Sequence, residues 1–112
     1  MKIAVIGGSG FIGTRLLGAL RAAQYRVVNI DKVASGAHPD CTFVADIRDL
    51  PALLPLLRGC DGVVNLAAEH GDHVRPLSLY AEVNVAGARN LVTAADANAV
   101  QRLIYISSAA VY

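Results

Sequence analysis

Seven residues near the N-terminus, Gly7-Gly8-Ser9-Gly10-Phe11-Ile12-Gly13, restrict the fold of this chain more than any other stretch. They follow a short apolar run, Lys2-Ile3-Ala4-Val5-Ile6, which reads as a buried strand. They precede Phe11 to Gln24, where Ile12, Leu16 and Leu20 recur at helical spacing and predict one apolar stripe. A strand that turns through glycines into a helix leaves unpaired N–H groups and a positive dipole end at the turn, a natural seat for phosphate. The cluster can be read as Gly7-x-x-Gly10-x-x-Gly13 or as a G-x-G-x-x-G pattern beginning at Gly8. In either frame the first glycine makes the tight turn. The middle one removes a Cβ that would block a diphosphate, and Gly13 lets the helix approach the sheet. Glycines also make ordinary turns, so the flanking strand and helix are what give the cluster its meaning.

Strand-like and helix-like segments alternate along the rest of the chain. Arg26 to Ile30 and Thr42 to Ala45 read as strands two and three. Asp49 to Leu57 reads as a helix, with Pro51 acceptable in its first turn and Pro55 forcing it to be short or kinked. Gly62 to Leu66 predicts a fourth strand and Leu103 to Ile106 a fifth. Between them Pro76 to Asn98 predicts the longest helix, packing through Leu79, Val83, Leu91, Ala94 and Ala95. Helical crossovers between strands imply a parallel sheet with right-handed connections. The expected architecture is α/β: a Rossmann-type, doubly wound parallel sheet of about five strands in the order 3-2-1-4-5, ending after strand five. One domain over residues 1–112 is expected, without repeats or linkers.

Asp31 stands just after the second strand, 18 residues beyond Gly13. An acid there accepts hydrogen bonds from the adenosine ribose and repels a 2′-phosphate, which favours NAD over NADP. Lys32 beside it pulls the other way, and an Asp in this place is also a common turn former.

Composition closes off several classes. With 112 residues, 54% of them hydrophobic, and a net charge of +1, the chain is neither disordered nor built for nucleic acid. Its apolar runs are short and broken by Gly, Asp and Asn, so no membrane partner is expected. The start resembles a signal peptide for only a few residues before the glycine turn interrupts it. Cys41 and Cys60 read as ordinary core or loop thiols of a reducing cytoplasm, with a bridge between them the lesser alternative. Glu69, His70, Asp72 and His73 crowd one segment, but no zinc-helix spacing such as H-E-x-x-H is present and no metal is expected.

Five ordered segments carry a resemblance to a known family: the glycine loop itself; Asp46-Ile47-Arg48-Asp49 after strand three; Asn65-Leu66-Ala67-Ala68-Glu69-His70 at strand four; Tyr80-x-x-x-Asn84-Val85-x-Gly87-x-x-Asn90-Leu91 in the long helix; and Ile106-Ser107-Ser108-Ala109-Ala110-Val111-Tyr112 after strand five. Together they resemble the NAD-dependent epimerase/dehydratase family of extended short-chain dehydrogenases/reductases, over the whole chain. Asp31 and, beside it, Lys32 are placed at the adenosine end by their position after strand two, and the resemblance implies that Gly7, Gly10, Phe11, Ile12 and Gly13 meet the diphosphate. It further implies that Asp46 and Ile47 meet the adenine, while Leu66, Ala67, Ala68, Asn84 and Ser107 run toward the nicotinamide end. Aligning Val111-Tyr112 implies Ser108 as the catalytic hydroxyl.

Each assignment has a plainer counterpart. Asp46 can simply cap the helix after it, Ala67 and Ala68 are small where backbone is close, and Asn84, Ser107 and Ser108 can simply bond local backbone.

The family's chemistry is hydride transfer between a sugar carbon and NAD, with a Tyr as proton carrier and a Lys four residues beyond it. The chain has lysines only at positions 2 and 32, and neither follows a tyrosine at that interval. The resemblance therefore implies the cofactor-binding front part of a nucleotide-sugar epimerase or dehydratase, without turnover of its own. Ala109 and Ala110, where dehydratases usually have acids, tilt the expectation toward a 4-epimerase. A stand-alone NAD sensor and a ketone reductase are the competing readings. Strand five as a sheet edge and the long helix are expected to promote homodimers or aggregation.

Overall fold

The computed structural model describes residues 1–66 and 85–106. Five strands form one sheet: β1 (Lys2–Ile6), β2 (Arg26–Asp31), β3 (Thr42–Val44), β4 (Gly62–Asn65) and β5 (Arg102–Tyr105). All four pairings are parallel and the order is β3-β2-β1-β4-β5, as expected. Among the described residues, three α-helices lie between them: α1 (Phe11–Ala22), α2 (Leu50–Leu56) and α3 (Gly87–Ala97). A 3-10 turn at Pro39–Cys41 leads into β3.

The strands alternate faces, as the pleat requires. Ala4, Ile6, Val28, Ile30 and Val63 point to one side and form a core with Leu53 and Leu57 near α2 and with Leu91, Ala94 and Ala95 of α3. Two asparagines tie this layer together. Asn98 donates from Nδ2 to the Leu54 carbonyl at 2.8 Å, and Asn90 to that of Ile47 at 3.1 Å. The Leu91, Ala94 and Ala95 packing positions are thus found buried. Leu79, Val83 and the front of the long helix lie outside the described residues.

The stripe expected on α1 is shifted. Its buried residues are Gly13 and Leu17, while Ile12 is 66% exposed. The cause is Gly13. A methyl group there would overlap Gly8 Cα, so only hydrogen at this position lets the helix come down on the loop; the helix therefore docks through Gly13 and its i+4 neighbour Leu17.

The helix ends differ from expectation by one or two residues, with a physical cause. Beyond α1, Gln24 takes a left-handed φ of 69°, and Tyr25 N–H reaches back to the Leu20 carbonyl at 3.0 Å. Ala99 does the same beyond α3 at φ 55°, with Val100 N–H on the Ala95 carbonyl at 2.9 Å. Both are Schellman closures made without the usual glycine. Helix α2 is short, as Pro55 demanded, and is capped by Asp49, whose carboxylate accepts from Ala52 N–H at 3.3 Å. Asp46 is therefore not the cap of that helix. Both cysteines are free, and burial pushes the Cys60 thiol up.

Candidate functional site

The C-terminal ends of β1 and β4 meet where the strand order reverses direction, the position at which open α/β sheets bind ligands. The glycine loop leaves β1 there. Gly7 has φ 84°, a conformation that suits glycine, and its N–H donates to the Ile30 carbonyl at 2.7 Å. The turn is thus made by Gly7, which decides the frame in favour of Gly7-x-x-Gly10-x-x-Gly13. Gly10 is the N-cap of α1, with no side chain capping the helix and no acid in its first turn. A Cβ built on Gly10 would meet no atom within 4 Å. Gly10 and Gly13 thus do opposite things: Gly13 is closed against protein, and Gly10 faces open space. The first amide of α1 to be bonded within the helix is that of Thr14, to the Gly10 carbonyl at 2.8 Å. The earlier amides, of Phe11, Ile12 and Gly13, stand at the positive end of the helix dipole.

Asp31 ends β2 beside this loop. Its Oδ2 accepts from Ser9 N–H at 2.9 Å and its Oδ1 from Val33 N–H at 3.1 Å. The acid is thus a turn former and a neighbour of the glycine loop at once. Ser9 Oγ donates to the Val33 carbonyl at 2.7 Å, which stitches the loop to the segment after β2. That segment is held further by His38, whose Nε2 lies 3.1 Å from the Thr14 carbonyl and whose Nδ1 lies 3.2 Å from Arg21. A carbonyl only accepts, so Nε2 carries the proton and Nδ1 receives the Arg21 donor.

Asp46 sits after β3. Its carboxylate forms a 2.7 Å ion pair with Arg48 and accepts Arg48 N–H at 2.9 Å. The Arg48 hydrogen bond, with a smaller contribution from the nearby charge of exposed Lys32, holds the Asp46 carboxyl below its ordinary value. Ile47 is 5% exposed, and a methyl on Gly87 would overlap it, so its side chain is a core contact with α3. Leu66 is half-buried and extends the β4–β1 pairing, its N–H donating to the Ile6 carbonyl at 2.8 Å. Phe11 and Ile12 are 75% and 66% exposed beside the loop, with Arg15 stacked 4.7 Å over the Phe11 ring. Ala67, Ala68, Asn84, Ser107 and Ser108 lie outside the described residues, as do Glu69, His70, Asp72 and His73. Among the described residues no cluster of His, Cys, Asp or Glu could hold a metal ion.

Asn29 belongs to none of the sequence motifs, yet it is completely enclosed in β2 and its side chain bonds Gly8, Ser9 and Thr42. The available signal was a polar residue interrupting an otherwise apolar strand, Val27-Val28-Asn29-Ile30. A separate cleft of about 440 Å³, lined by Met1, Ile3, Val64, Gln101, Arg102 and Ile104 among others, lies toward the opposite ends of the strands, away from the glycine loop.

Residues 3–112 match the NAD dependent epimerase/dehydratase family. Over 111 residues the chain is 48% identical to an N-acetyl-alpha-D-glucosaminyl-diphospho-ditrans,octacis-undecaprenol 4-epimerase of Escherichia coli O157:H7, covering 99% of this chain and 33% of that protein. A short-chain dehydrogenase/reductase superfamily protein from Agrobacterium tumefaciens, solved with bound NAD, superposes with a TM-score of 0.88 at 30% identity, over 96% of this chain and 33% of that one. A UDP-glucose 4-epimerase from Thermotoga maritima, solved with UDP-glucose, gives 0.86 at 26% identity, over 96% and 38%. The chain thus spans about a third of the length of the curated relative it matches. From the Rossmann-type sheet, the glycine turn and these likenesses, the chain belongs to the NAD-dependent epimerase/dehydratase family.

Proposed function

We propose that this chain is the NAD-binding part of a 4-epimerase acting on a diphosphate-linked sugar. The observation that carries this reading is the pairing of an uncapped, open-sided helix start at Gly10 with the Asp31 carboxylate one hydrogen bond from the same loop. The residues present fit the dinucleotide. The space beside Gly10 admits a diphosphate without a Cβ in the way, and the amides of Phe11, Ile12 and Gly13 offer it donors. Asp31 has lone pairs left on both oxygens for the ribose hydroxyls and offers nothing favourable to a 2′-phosphate. Asp46 and Ile47 border the adenine end, Ile47 through its backbone since its side chain is buried, with the charge of Lys32 near Asp46. The residues assigned to the nicotinamide end are Leu66, Ala67, Ala68, Asn84 and Ser107, and Ser108 is assigned to the sugar oxygen.

NAD held at this site would supply hydride-transfer chemistry for the sugar carbon. The chain's own residues bind and orient, and Ser108 hydrogen-bonds the substrate. No tyrosine in the chain is followed by a lysine four residues later. The given residues therefore supply the cofactor site and the Ser108 hydroxyl, and not the proton carrier. The 48%-identical relative is named for a sugar joined through diphosphate to undecaprenol, whereas the Thermotoga maritima enzyme was solved with a nucleotide sugar. A nucleotide sugar is the proposed substrate, and the diphosphate-linked hexose is the chemistry common to both. A second copy of the chain is the proposed protein partner. Free thiols at Cys41 and Cys60 fit a cytoplasmic setting. Among the described residues no helix is long and apolar enough to cross a membrane.

The test is calorimetric titration of NAD, followed by incubation with UDP-N-acetylglucosamine and with its polyprenyl-diphosphate counterpart, reading the 4-epimer by chromatography. The proposal expects NAD binding, and expects conversion only when a Tyr-x-x-x-Lys segment is supplied by the same polypeptide. Absence of NAD binding would refute it.

A further inference from the structure

We propose that Asn29 is a positioning residue of the dinucleotide site, fixing the glycine loop so that its free donors face the diphosphate; this rests on the reading that the loop binds NAD. Asn29 is 0% exposed in the middle of a strand whose other buried positions are apolar. A primary amide in such a place is costly unless every polar atom finds a partner. Here each does. Oδ1 accepts Gly8 N–H at 2.8 Å, and Nδ2 donates to Ser9 Oγ at 3.1 Å and to Thr42 Oγ1 at 3.0 Å. Neither hydroxyl is free to turn. Ser9 Oγ gives its proton to the Val33 carbonyl, and Thr42 Oγ1 gives its own to the His38 carbonyl at 2.6 Å. Both can therefore only accept from Asn29, which fixes which end of the amide faces Gly8.

Gly8 is fitted to this side chain. A methyl on Gly8 would overlap Asn29 Oδ1, so the absence of a Cβ is what allows the amide to reach the main chain. The result is a division of labour among the loop's N–H groups. Those of Gly8 and Ser9 are turned inward, to Asn29 and Asp31, and hold the loop. Those at the start of α1 remain for an anion beside the open side of Gly10. Core packing alone gives no reason for an Asn here, since Val or Leu would fill the strand position without needing three partners. Asn29 touches no part of the ligand space directly and acts through Gly8 and Ser9.

The experiment compares the full chain with Asn29→Ala, and with Leu53→Ala as a control that opens a cavity in the core on the other face of the sheet. NAD affinity is measured by calorimetry in the cold, where circular dichroism reports each variant folded. Exchange of the Gly8 amide is followed by NMR. The expected result is a rise in Kd of about tenfold or more for Asn29→Ala with fast Gly8 exchange, against a change within about twofold for Leu53→Ala. Should Asn29→Ala not fold, Thr42→Val removes one of the three bonds at nearly constant shape, and a rise of about threefold is expected. NAD affinity unchanged in the folded Asn29 variant, or in Thr42→Val when it stands in, overturns the proposal. Protected Gly8 exchange in Asn29→Ala overturns it as well. If the unsubstituted chain itself fails to bind NAD, the functional reading falls, while Gly8 exchange still reports on the role of Asn29 in holding the loop.

Discussion

Ser9 N–H donates to Asp31 Oδ2 at 2.9 Å, so the turn after the first strand and the acid after the second are one hydrogen-bonded unit. A second main-chain donor, Val33 N–H, occupies the other oxygen of the same carboxylate at 3.1 Å. Held by both, Asp31 cannot swing aside to admit a 2′-phosphate without breaking the loop that would bind the diphosphate.

Asp31→Ala is expected to weaken NAD binding by about 10- to 100-fold, the value of hydrogen bonds to a charged group, and to shrink the preference over NADP. Parallel titrations of the two dinucleotides check this. Equal binding of both, unmoved by the substitution, would sink the assignment of the acid.

Gly13→Ala and Gly10→Ala should separate fold from function. At Gly13 the new methyl meets Gly8 backbone, and a loss of about 1–3 kcal/mol in denaturant unfolding is expected. At Gly10 it meets nothing, so unfolding should be unchanged while NAD affinity drops as the methyl enters the ligand space. The opposite pattern would contradict the geometry.

Asp46 is held low by Arg48, which sets the sign of a pH effect. A carboxylate with a lowered folded-state pKa adds stability above its ordinary unfolded value of about 4, and loses it as pH falls through the lowered folded value. Because the pair is partly exposed, that contribution is at most about 1 kcal/mol. Arg48→Ala should flatten this part of the acid limb and leave stability at neutral pH only slightly reduced. Urea unfolding from pH 7 down to pH 3 measures it.

Ala99→Gly should stabilise the chain. Ala99 closes α3 at φ 55°, where an L side chain costs about 1–2 kcal/mol, and glycine gives back about 0.5–1 kcal/mol of that in backbone entropy. A gain of up to about 1 kcal/mol in thermal or urea unfolding is expected. A loss would mean that Ala99 makes a contact worth more than its strain.

Proximity along the chain decided what could be read without coordinates. The strand-turn-helix at Gly7–Gly13, the short helix at Pro55 and the burial of Leu91, Ala94 and Ala95 all follow from spacing within a few residues, because pleat and helix periods are local. The place of Asp31 was legible for the same reason, since it simply ends the second strand.

Tertiary contacts decided the rest. Asn29 has its partners 13 to 21 residues away, so nothing beside it in the chain reveals that it holds Gly8. Ile47 is drawn into the core by the missing side chain of Gly87, forty positions on, and the docking line of α1 moves to Leu17 because Gly13 meets Gly8. Local pattern fixes which residues become strand or helix. Which polar group is buried, and against what, is settled only when distant segments exclude water from one another.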